Sequence, residues 1–226
     1  MDSKNSTKPK YIGVIGVGSF GAAIANILAA KSPVMVYARK QEVVDEINAS
    51  HSAQGKKLSE NIIASNDPEQ LCKSCDVLFF MVPSSGFQNV VRTFSPFLFP
   101  YHLIIHGTKG LCLNLKDGET LETVKKIRRS QILTMSEVIL QETVAVRVGC
   151  LAGPNLSKEL AQGQPAATVI ASKYNEVILE GQSLLRSEKF QVYGNSDIIG
   201  VEISGVLKNI IAIASGALAG LGLGEN

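Results

Sequence analysis

A single lysine lies in a long apolar segment near the C-terminal end of this 226-residue chain. Lys208 is the only cation between Ile198 and Leu223, and its neighbours in the sequence are small or apolar. Such surroundings disfavour the charged ammonium, and a second cation nearby would disfavour it further. A lysine tuned in this way can act as a general acid or base near neutral pH. The alternative is a surface lysine whose stem covers apolar neighbours while its head stays in water.

A glycine-rich turn follows the first apolar run of the chain. Gly16, Gly18 and Gly21 form a GxGxxG motif between a strand-like run, residues 11–15, and a helix-like run of small and apolar residues. In such a motif the first glycine permits a tight turn, the second lets backbone approach a pyrophosphate, and the third permits close helix packing. The helix N-terminus adds N–H groups and a positive dipole end. The motif therefore predicts dinucleotide binding, with a purely structural turn as the alternative.

The end of the second strand-like run, residues 34–37, bears on the choice of dinucleotide. NAD sites usually place an acidic residue there for the ribose 2′-hydroxyl, whereas this chain has Arg39 and Lys40. Because cations can accommodate a 2′-phosphate, we expect the site to accept NADPH. NADH stays an alternative because Glu42 and Asp45 follow slightly downstream, and a solvated strand end would also explain the two cations.

A second lysine, Lys109, stands between glycines directly after another strand-like run, residues 103–106. The carboxyl ends of parallel strands form the edge at which open α/β sheets bind ligands. A lysine there can reach a phosphate or a developing oxyanion, and an ordinary surface turn is the alternative. His106, at the end of the same run, has no acid or nucleophile partner that the sequence identifies. We therefore predict a structural role for His106.

The rest of the chain alternates strand-like and helix-like runs, which predicts a doubly wound, mainly parallel α/β sheet. Further strands are predicted at residues 62–64, 77–82, 144–151, 167–171 and 190–193, and helices at 87–98, 136–143, 156–162, 176–185 and 198–223. Ser136 is the predicted cap of its helix. Residues 49–61 are polar and interrupted, and they are predicted to form a loop.

The composition indicates a soluble globular protein, with 45% hydrophobic and 19% charged residues and a net charge of +2. Both signs of charge are mixed along the chain, so we expect no nucleic-acid groove and no polybasic membrane anchor. The most apolar stretch, residues 210–223, is shorter than a bilayer span. Extending it to Ile203 brings in Lys208 and Asn209, so no membrane span is predicted.

The first ten residues are polar and lack the apolar core of a secretory signal, so we expect a disordered tail and no export. The four cysteines fit a reducing compartment. Cys72 and Cys75 form a CxxC spacing, but neither a second ligand pair nor a thioredoxin-like context accompanies them. We predict two cysteines at the end of a short helix, and no metal site.

Six segments, in order along the chain, closely resemble those of the bacterial-type NAD(P)-dependent glycerol-3-phosphate dehydrogenases. They are GVGSFG, VYARK, HGTKGL, LAGPNLSKELAQGQPAATVIAS, VYGNSD and VEISGVLKNIIAIASG, and the likeness covers essentially residues 11–226. The resemblance implies a Rossmann-type sheet followed by the start of an all-helical domain. It also implies a cytoplasmic enzyme that interconverts dihydroxyacetone phosphate and sn-glycerol 3-phosphate for glycerophospholipid synthesis, with NADPH or NADH as cofactor.

The resemblance assigns roles to individual residues. It implies that Ser19, Phe20 and Arg39 contact the cofactor beside the glycines, and that Ser157 lies next to the cofactor. Lys109 would touch both cofactor and substrate, and Gly153 and Asn155 would lie on the substrate. Lys208 would accept the proton during glycerol 3-phosphate oxidation. Two positions depart from the family's pattern, with Leu156 where phenylalanine is common and Ser157 where alanine is usual. We expect these changes to alter the fit of the cofactor without abolishing binding.

Three parts of the chain are expected: a disordered tail at residues 1–10, a dinucleotide-binding domain at 11–194, and the first helix of a substrate domain at 195–226. Members of the family continue into a helical domain with a substrate-binding aspartate and an Arg-Asn pair for the substrate phosphate. We therefore expect this chain to keep dinucleotide binding and to lose much of its affinity for the small phosphorylated substrate. The alternatives are a non-catalytic NADPH-binding module and a related dehydrogenase acting on a hydroxyacid, and a homodimer is one candidate assembly.

Overall fold

The computed structural model describes residues 10–223, apart from Gln54, Lys116, Asp117, Glu119, Leu121 and Lys125. The disordered tail predicted at residues 1–10 therefore lies, except for Lys10, outside the described residues. The predicted boundary at residue 194 between two domains stays a prediction.

Twelve strands and eight α-helices make up the described chain. The strands are β1 (Tyr11–Ile15), β2 (Val34–Tyr37), β3 (Ser52–Ala53), β4 (Lys56–Lys57), β5 (Ile62–Ser65), β6 (Cys75–Phe80), β7 (Leu103–His106), β8 (Leu111–Leu113), β9 (Ile132–Thr134), β10 (Arg147–Ala152), β11 (Ala166–Ser172) and β12 (Phe190–Asn195). The helices are α1 (Ser19–Ala29), α2 (Gln41–Ser50), α3 (Pro68–Ser74), α4 (Ser84–Phe94), α5 (Met135–Glu142), α6 (Ser157–Ala161), α7 (Asn175–Leu185) and α8 (Ile198–Gly220).

Eight of the strands form one sheet in the order β12-β11-β10-β7-β6-β1-β2-β5. Neighbouring strands run parallel except for β10 and β11, which are antiparallel. After β1 the chain builds outward through β2 and β5, then returns to add β6 and β7 on the other side of β1. The strand order therefore reverses between β1 and β6, which opens a crevice at their carboxyl ends. The predicted doubly wound, mainly parallel sheet is confirmed.

The strands of the sheet centre are apolar because helices cover both faces. Phe79 and Phe80 are both fully buried, and alternation along β6 places them in separate clusters on opposite faces. One face packs against α1 and α7, and the other packs against α3, α4 and α5. The core thus fixes the heights of the strand ends that form the ligand edge.

Two local predictions were wrong. Residues 49–61 are not a loop throughout, because α2 continues to Ser50 and the short strands β3 and β4 pair as a hairpin. Ser136 does not cap its helix. Thr134 caps α5 instead, in a reciprocal arrangement in which the Thr134 hydroxyl accepts from the Glu137 N–H and the Glu137 carboxylate accepts from the Thr134 N–H. The other predicted elements are present, with bounds that differ by a few residues.

Helix α8 contacts the sheet through its first turns and then extends into solvent. Its buried residues are Ile198 and Glu202, whereas Ile210, Ile211 and Ile213 are 60%, 65% and 74% exposed. By length and composition α8 could cross a membrane, with a mean hydropathy of 1.6 in its most apolar window. A single helix of this kind is weak evidence, because helices of soluble proteins pass the same test. The predicted absence of a membrane span stays a prediction.

Candidate functional site

The turn between β1 and α1 uses each of its three glycines differently. Gly16 has a φ of +104°, and a Cβ added there would lie 2.7 Å from the Met81 carbonyl oxygen. A Cβ on Gly21 would lie 1.9 Å from the carbonyl oxygen of Gly16, so this glycine lets α1 pack against the strand end. A Cβ on Gly18 would meet no atom within 4 Å. The space in front of Gly18 is open to a ligand, as the motif predicts for its second glycine.

Helix α1 begins directly behind this open space. Gly18 is its N-cap residue and supplies no side-chain hydrogen bond to the first turn. The backbone N–H groups and the positive dipole end of an uncapped helix favour an anion. A pyrophosphate between Gly18 and the start of α1 would therefore meet donors without a competing side chain.

A cavity of about 440 Å³, called the inner cavity below, opens where β1, β6, β7 and β10 end. It gathers residues that are far apart in the sequence and that were predicted to form the site: Gly18, Ser19, Phe20, Lys109, Gly153, Asn155 and Ser157. Leu156 also borders this space. None of the described residues that line it is acidic. The inner cavity therefore favours an anionic or polar ligand.

A second cavity of about 680 Å³, the outer cavity, lies on the other side of the glycine turn. It is bordered by Gly16, Arg39 and Lys40, and Val82 and Pro83 line both cavities. The two cavities therefore meet at the end of β6, at the point where the strand order reverses. Two adjoining cavities, an uncapped helix between them and cations at the far end fit the two halves of a dinucleotide with a 2′-phosphate.

Lys109 and Lys208 meet at one backbone oxygen. The Nζ atom of each lysine donates to the Gly153 carbonyl oxygen at 3.4 Å. Lys109 comes from the segment after β7, and Lys208 comes from α8. Burial of Lys109 and the nearby positive charge of Lys208 together lower the pKa of the Lys109 ammonium below its ordinary value of 10.5. The structure thus brings together the two lysines that the sequence singled out separately.

Asn155 is held with its amide oxygen unpaired. The hydroxyl of Thr168 donates its one proton to the Ala152 carbonyl oxygen at 3.1 Å, so it accepts from the Asn155 Nδ2 at 2.9 Å. Among the described residues, the buried Oδ1 of Asn155 has no hydrogen-bond partner. Because a buried acceptor without a partner is unfavourable, a hydroxyl of a ligand in the inner cavity would satisfy it.

The sequence did not single out Lys56, which lies beside the predicted cofactor residues. Lys56 of β4 donates a hydrogen bond to the Ser19 hydroxyl at the start of α1. It also lines a third cavity, of about 440 Å³, together with Ser19, Ser157 and Lys158. The only signal in the sequence was a pair of adjacent lysines in a segment that was predicted to be a loop.

His106 has an acid partner that the sequence did not identify. Its Nε2 lies 3.1 Å from Oε1 of Glu202 and 3.1 Å from the Ser136 hydroxyl. The same Glu202 oxygen accepts from the Ser136 N–H at 3.0 Å. Burial alone would raise the pKa of Glu202, but the hydrogen bonds and charge of His106, with those from Ser136, outweigh it and lower that pKa. Glu202 comes from α8, so no local pattern around His106 could have revealed it.

The cysteine pair agrees with the structural prediction. Cys72 lies in the last turn of α3, which ends at Ser74, and Cys75 begins β6; both are buried free thiols. Burial raises the pKa of each thiol to about 12, so neither is a reactive thiolate near neutral pH. Over the part of the chain that the structure describes, no three His, Cys, Asp or Glu side chains are grouped to hold a metal ion.

Comparison with known proteins gives a consistent result. Residues 11–178 match the family model described as the N-terminus of NAD-dependent glycerol-3-phosphate dehydrogenase, and residues 197–226 match the model of its C-terminus. The curated glycerol-3-phosphate dehydrogenase (NAD(P)+) of Acinetobacter baylyi is 36% identical over 100% of this chain and 59% of its own length. That of Geobacter metallireducens is 36% identical over 95% of this chain and 62% of its own length.

Solved structures give the same picture. The glycerol-3-phosphate dehydrogenase of Coxiella burnetii superposes with a TM-score of 0.79 at 30% identity, covering 96% of this chain and 63% of that one. The enzyme of Saccharomyces cerevisiae shares the fold, with a TM-score of 0.79 at 23% identity over 97% of this chain and 65% of that one. This chain spans about three fifths of the length of the curated relatives it matches.

Proposed function

Since the chain belongs to the NAD-dependent glycerol-3-phosphate dehydrogenase family, we propose that it binds NADPH or NADH and interconverts dihydroxyacetone phosphate and sn-glycerol 3-phosphate. The observation that carries the proposal is the meeting of Lys109 and Lys208 at the Gly153 carbonyl oxygen, beside a cavity that reaches the glycine turn. Two ammonium groups at an edge without acidic lining suit a substrate that carries a phosphate.

The cofactor would lie across the glycine turn. Gly18, Ser19 and Phe20 would hold the pyrophosphate at the N-terminus of α1. Arg39 would face the adenosine ribose from the outer cavity, where its guanidinium can pair with a 2′-phosphate. Ser157, which also lines the inner cavity, would lie beside the nicotinamide half.

The two lysines divide the chemistry between them. The bound nicotinamide supplies the hydride that reduces the substrate carbonyl. Lys208 would donate a proton to the carbonyl oxygen, and in the reverse direction it would take the proton of the hydroxyl as a general base. Lys109 would stabilise the negative charge that develops on that oxygen. Gly153 and Asn155 would orient the substrate, because the unpaired Oδ1 of Asn155 can accept a hydrogen bond from a substrate hydroxyl.

The test is a turnover assay with the 226-residue chain. NADPH and dihydroxyacetone phosphate are added, and the absorbance of the reduced nicotinamide is followed. We expect Lys208→Met to lower the rate about 100-fold or more, as the loss of a general acid does, while NADPH affinity is retained. Lys173→Met is the matched control and keeps the rate. It removes an exposed lysine directly after β11, at the end of that strand that lies away from Gly153. Undiminished turnover in Lys208→Met would contradict the proposed role of Lys208.

The second candidate is a non-catalytic NADPH-binding module. It is favoured by one observation, the exposure of α8 from Leu207 onward, which leaves the Lys208 side of the site open. NADPH binding without turnover, on dihydroxyacetone phosphate or on hydroxyacids, would support this module. The cytoplasmic location, the role in glycerophospholipid synthesis, a homodimer and the absence of nucleic-acid partners remain predictions.

A further inference from the structure

A buried polar cluster lies behind the two lysines and is not used by the proposed chemistry. It consists of His106 at the end of β7, Ser136 in the first turn of α5, and Glu202 in the second turn of α8. These residues are 1%, 3% and 7% exposed. We call this group the His106–Ser136–Glu202 cluster. It joins three separate elements through side chains and one backbone N–H.

The hydrogen bonds of the cluster indicate which ring nitrogen of His106 carries a proton. A carboxylate only accepts hydrogen bonds, so the His106 Nε2 that faces Glu202 carries the proton. The Ser136 N–H supplies a second donor to the same Glu202 oxygen. Taking a carboxylate out of water is strongly unfavourable unless such partners are in place. The buried position of Glu202 is therefore tied to β7 and α5, and α8 cannot rotate or shift without breaking these contacts.

Few other contacts hold α8 near Lys208. Ile198 is the other buried residue of the helix, and it lies at its start. Gly205 approaches the sheet, since a Cβ added there would lie 3.7 Å from the Cβ of Ala152. From Leu207 onward most of the helix surface is in solvent. Lys208 is six residues after Glu202, about 9 Å further along the helix axis, so its position depends on how the preceding turns are held.

The cluster also lies next to the other lysine. His106 immediately precedes the Gly107-Thr108-Lys109 segment, and Thr108 is itself fixed by a hydrogen bond from its hydroxyl to the Val82 carbonyl oxygen at 2.7 Å. One set of contacts therefore connects the strand that supplies Lys109 to the helix that supplies Lys208.

We propose that Glu202, held by His106 and Ser136, is a positioning residue that fixes the rotation and depth of α8 so that Lys208 meets Lys109 at the Gly153 carbonyl oxygen. Glu202 does not contact the substrate or the cofactor in this proposal. The inference rests on the proposed function where it treats Lys208 as the proton-transfer group. Its geometric content, the meeting of the two lysines, can be measured without turnover.

The experiment is lysine cross-linking in the 226-residue chain. A short bifunctional amine reagent is added to wild type and to Glu202→Ala, and the Lys109–Lys208 cross-link is quantified by peptide mass spectrometry. We expect the yield to fall several-fold in Glu202→Ala, whereas NADPH binding persists because the glycine turn is unchanged. Glu202→Gln keeps an oxygen that can accept from the Ser136 N–H, so it should restore part of the yield.

His102→Gln is the matched control. His102 is also fully buried, and its two ring nitrogens bond to the Phe99 N–H and to the Cys72 carbonyl oxygen and not to a residue of the cluster. We expect His102→Gln and His106→Gln both to lower the melting temperature, and only His106→Gln to lower the cross-link yield. If Glu202→Ala proves unfolded, Glu202→Gln and His106→Gln carry the test.

Two outcomes separate this inference from the proposed function. A wild-type cross-link yield in folded Glu202→Ala overturns the positioning role, whatever the turnover assay gives. If the cross-link yield falls in Glu202→Ala and the Lys208→Met variant still turns over, the positioning role of Glu202 is supported. The proton-transfer role of Lys208 is then contradicted. Where wild type is active, a positioning role also predicts a lower kcat in Glu202→Gln with an unchanged KM for NADPH.

Discussion

The two halves of the site are supported in different ways. The cofactor half, around the glycine turn, is formed by adjacent strand ends and by α1, all packed on the centre of the sheet. The half that carries Lys208 is one helix whose buried residues are Ile198 and Glu202. The comparison indicates that dinucleotide binding depends on dense local packing, whereas the meeting of the two lysines depends on a few contacts between distant segments.

The strongest test of this difference is made in the cofactor half. Gly21→Ala places a Cβ 1.9 Å from the Gly16 carbonyl oxygen, so α1 must move away from the strand. We expect a loss of about 3 kcal/mol in the free energy of unfolding, as overpacking typically causes, together with loss of NADPH binding.

Gly18→Ala is its control. The added Cβ meets no protein atom within 4 Å, so stability should change little while NADPH affinity falls, because the methyl group occupies space meant for the ligand. Urea unfolding and fluorescence titration measure the two effects. Equal stability of Gly21→Ala and wild type would show that the packing of the turn is looser than the structure indicates.

A pH series tests the support of the other half. The pKa of Glu202 is lowered below its ordinary value of 4.5, so its contribution to stability is present above pH 4.5 and is lost as the pH falls through the lower folded value. We expect Glu202→Gln to cost about 2 kcal/mol near neutral pH, as loss of hydrogen bonds to a buried charge does, and less in acid. A difference in unfolding free energy that is constant between pH 7 and pH 3 would show that the carboxylate charge is not involved.

Cofactor preference gives a smaller effect within the cofactor half. Arg39→Ser removes the guanidinium from the outer cavity without touching the glycine turn. We expect the Kd for NADPH to rise about tenfold, as loss of one charged contact to a phosphate does. The Kd for NADH in the same variant is the internal control and should stay near the wild-type value. A parallel change in both constants would mean that Arg39 does not contact the 2′-phosphate.

The smallest expected effect concerns Lys109. Because its pKa is lowered in the folded chain, folding at neutral pH must keep an ammonium charged where burial and Lys208 oppose the charge. This group disfavours the folded state fully below its lowered folded pKa, and the penalty shrinks as the pH rises from that value toward the unfolded pKa of 10.5. Lys109→Met should therefore slightly raise the melting temperature at pH 7 while turnover falls, and the gain should shrink toward pH 10. A lower melting temperature at pH 7 would contradict the electrostatic reasoning.

The sequence predicted the features whose partners are close along the chain. The roles of Gly16, Gly18 and Gly21 follow from a strand, a turn and a helix in immediate succession, and the parallel sheet follows from their repetition. The Thr134–Glu137 capping box is also local, but the prediction placed the cap at the neighbouring Ser136. Glu202 could not be found as the partner of His106, because that contact arises only after α8 packs against the finished sheet.

The antiparallel pairing of β10 and β11 decides where α8 starts. Because β11 and β12 run opposite to β10, β12 ends at Asn195, level with Cys150 of β10 and with His106 at the end of β7, and Ile198 follows near Cys150. Helix α8 then passes Ala152, which lies close to Gly205, and the ten residues from Ile198 to Lys208 cover about 15 Å along the helix axis. One inserted residue would raise Lys208 by about 1.5 Å and turn it by about 100°, away from Lys109.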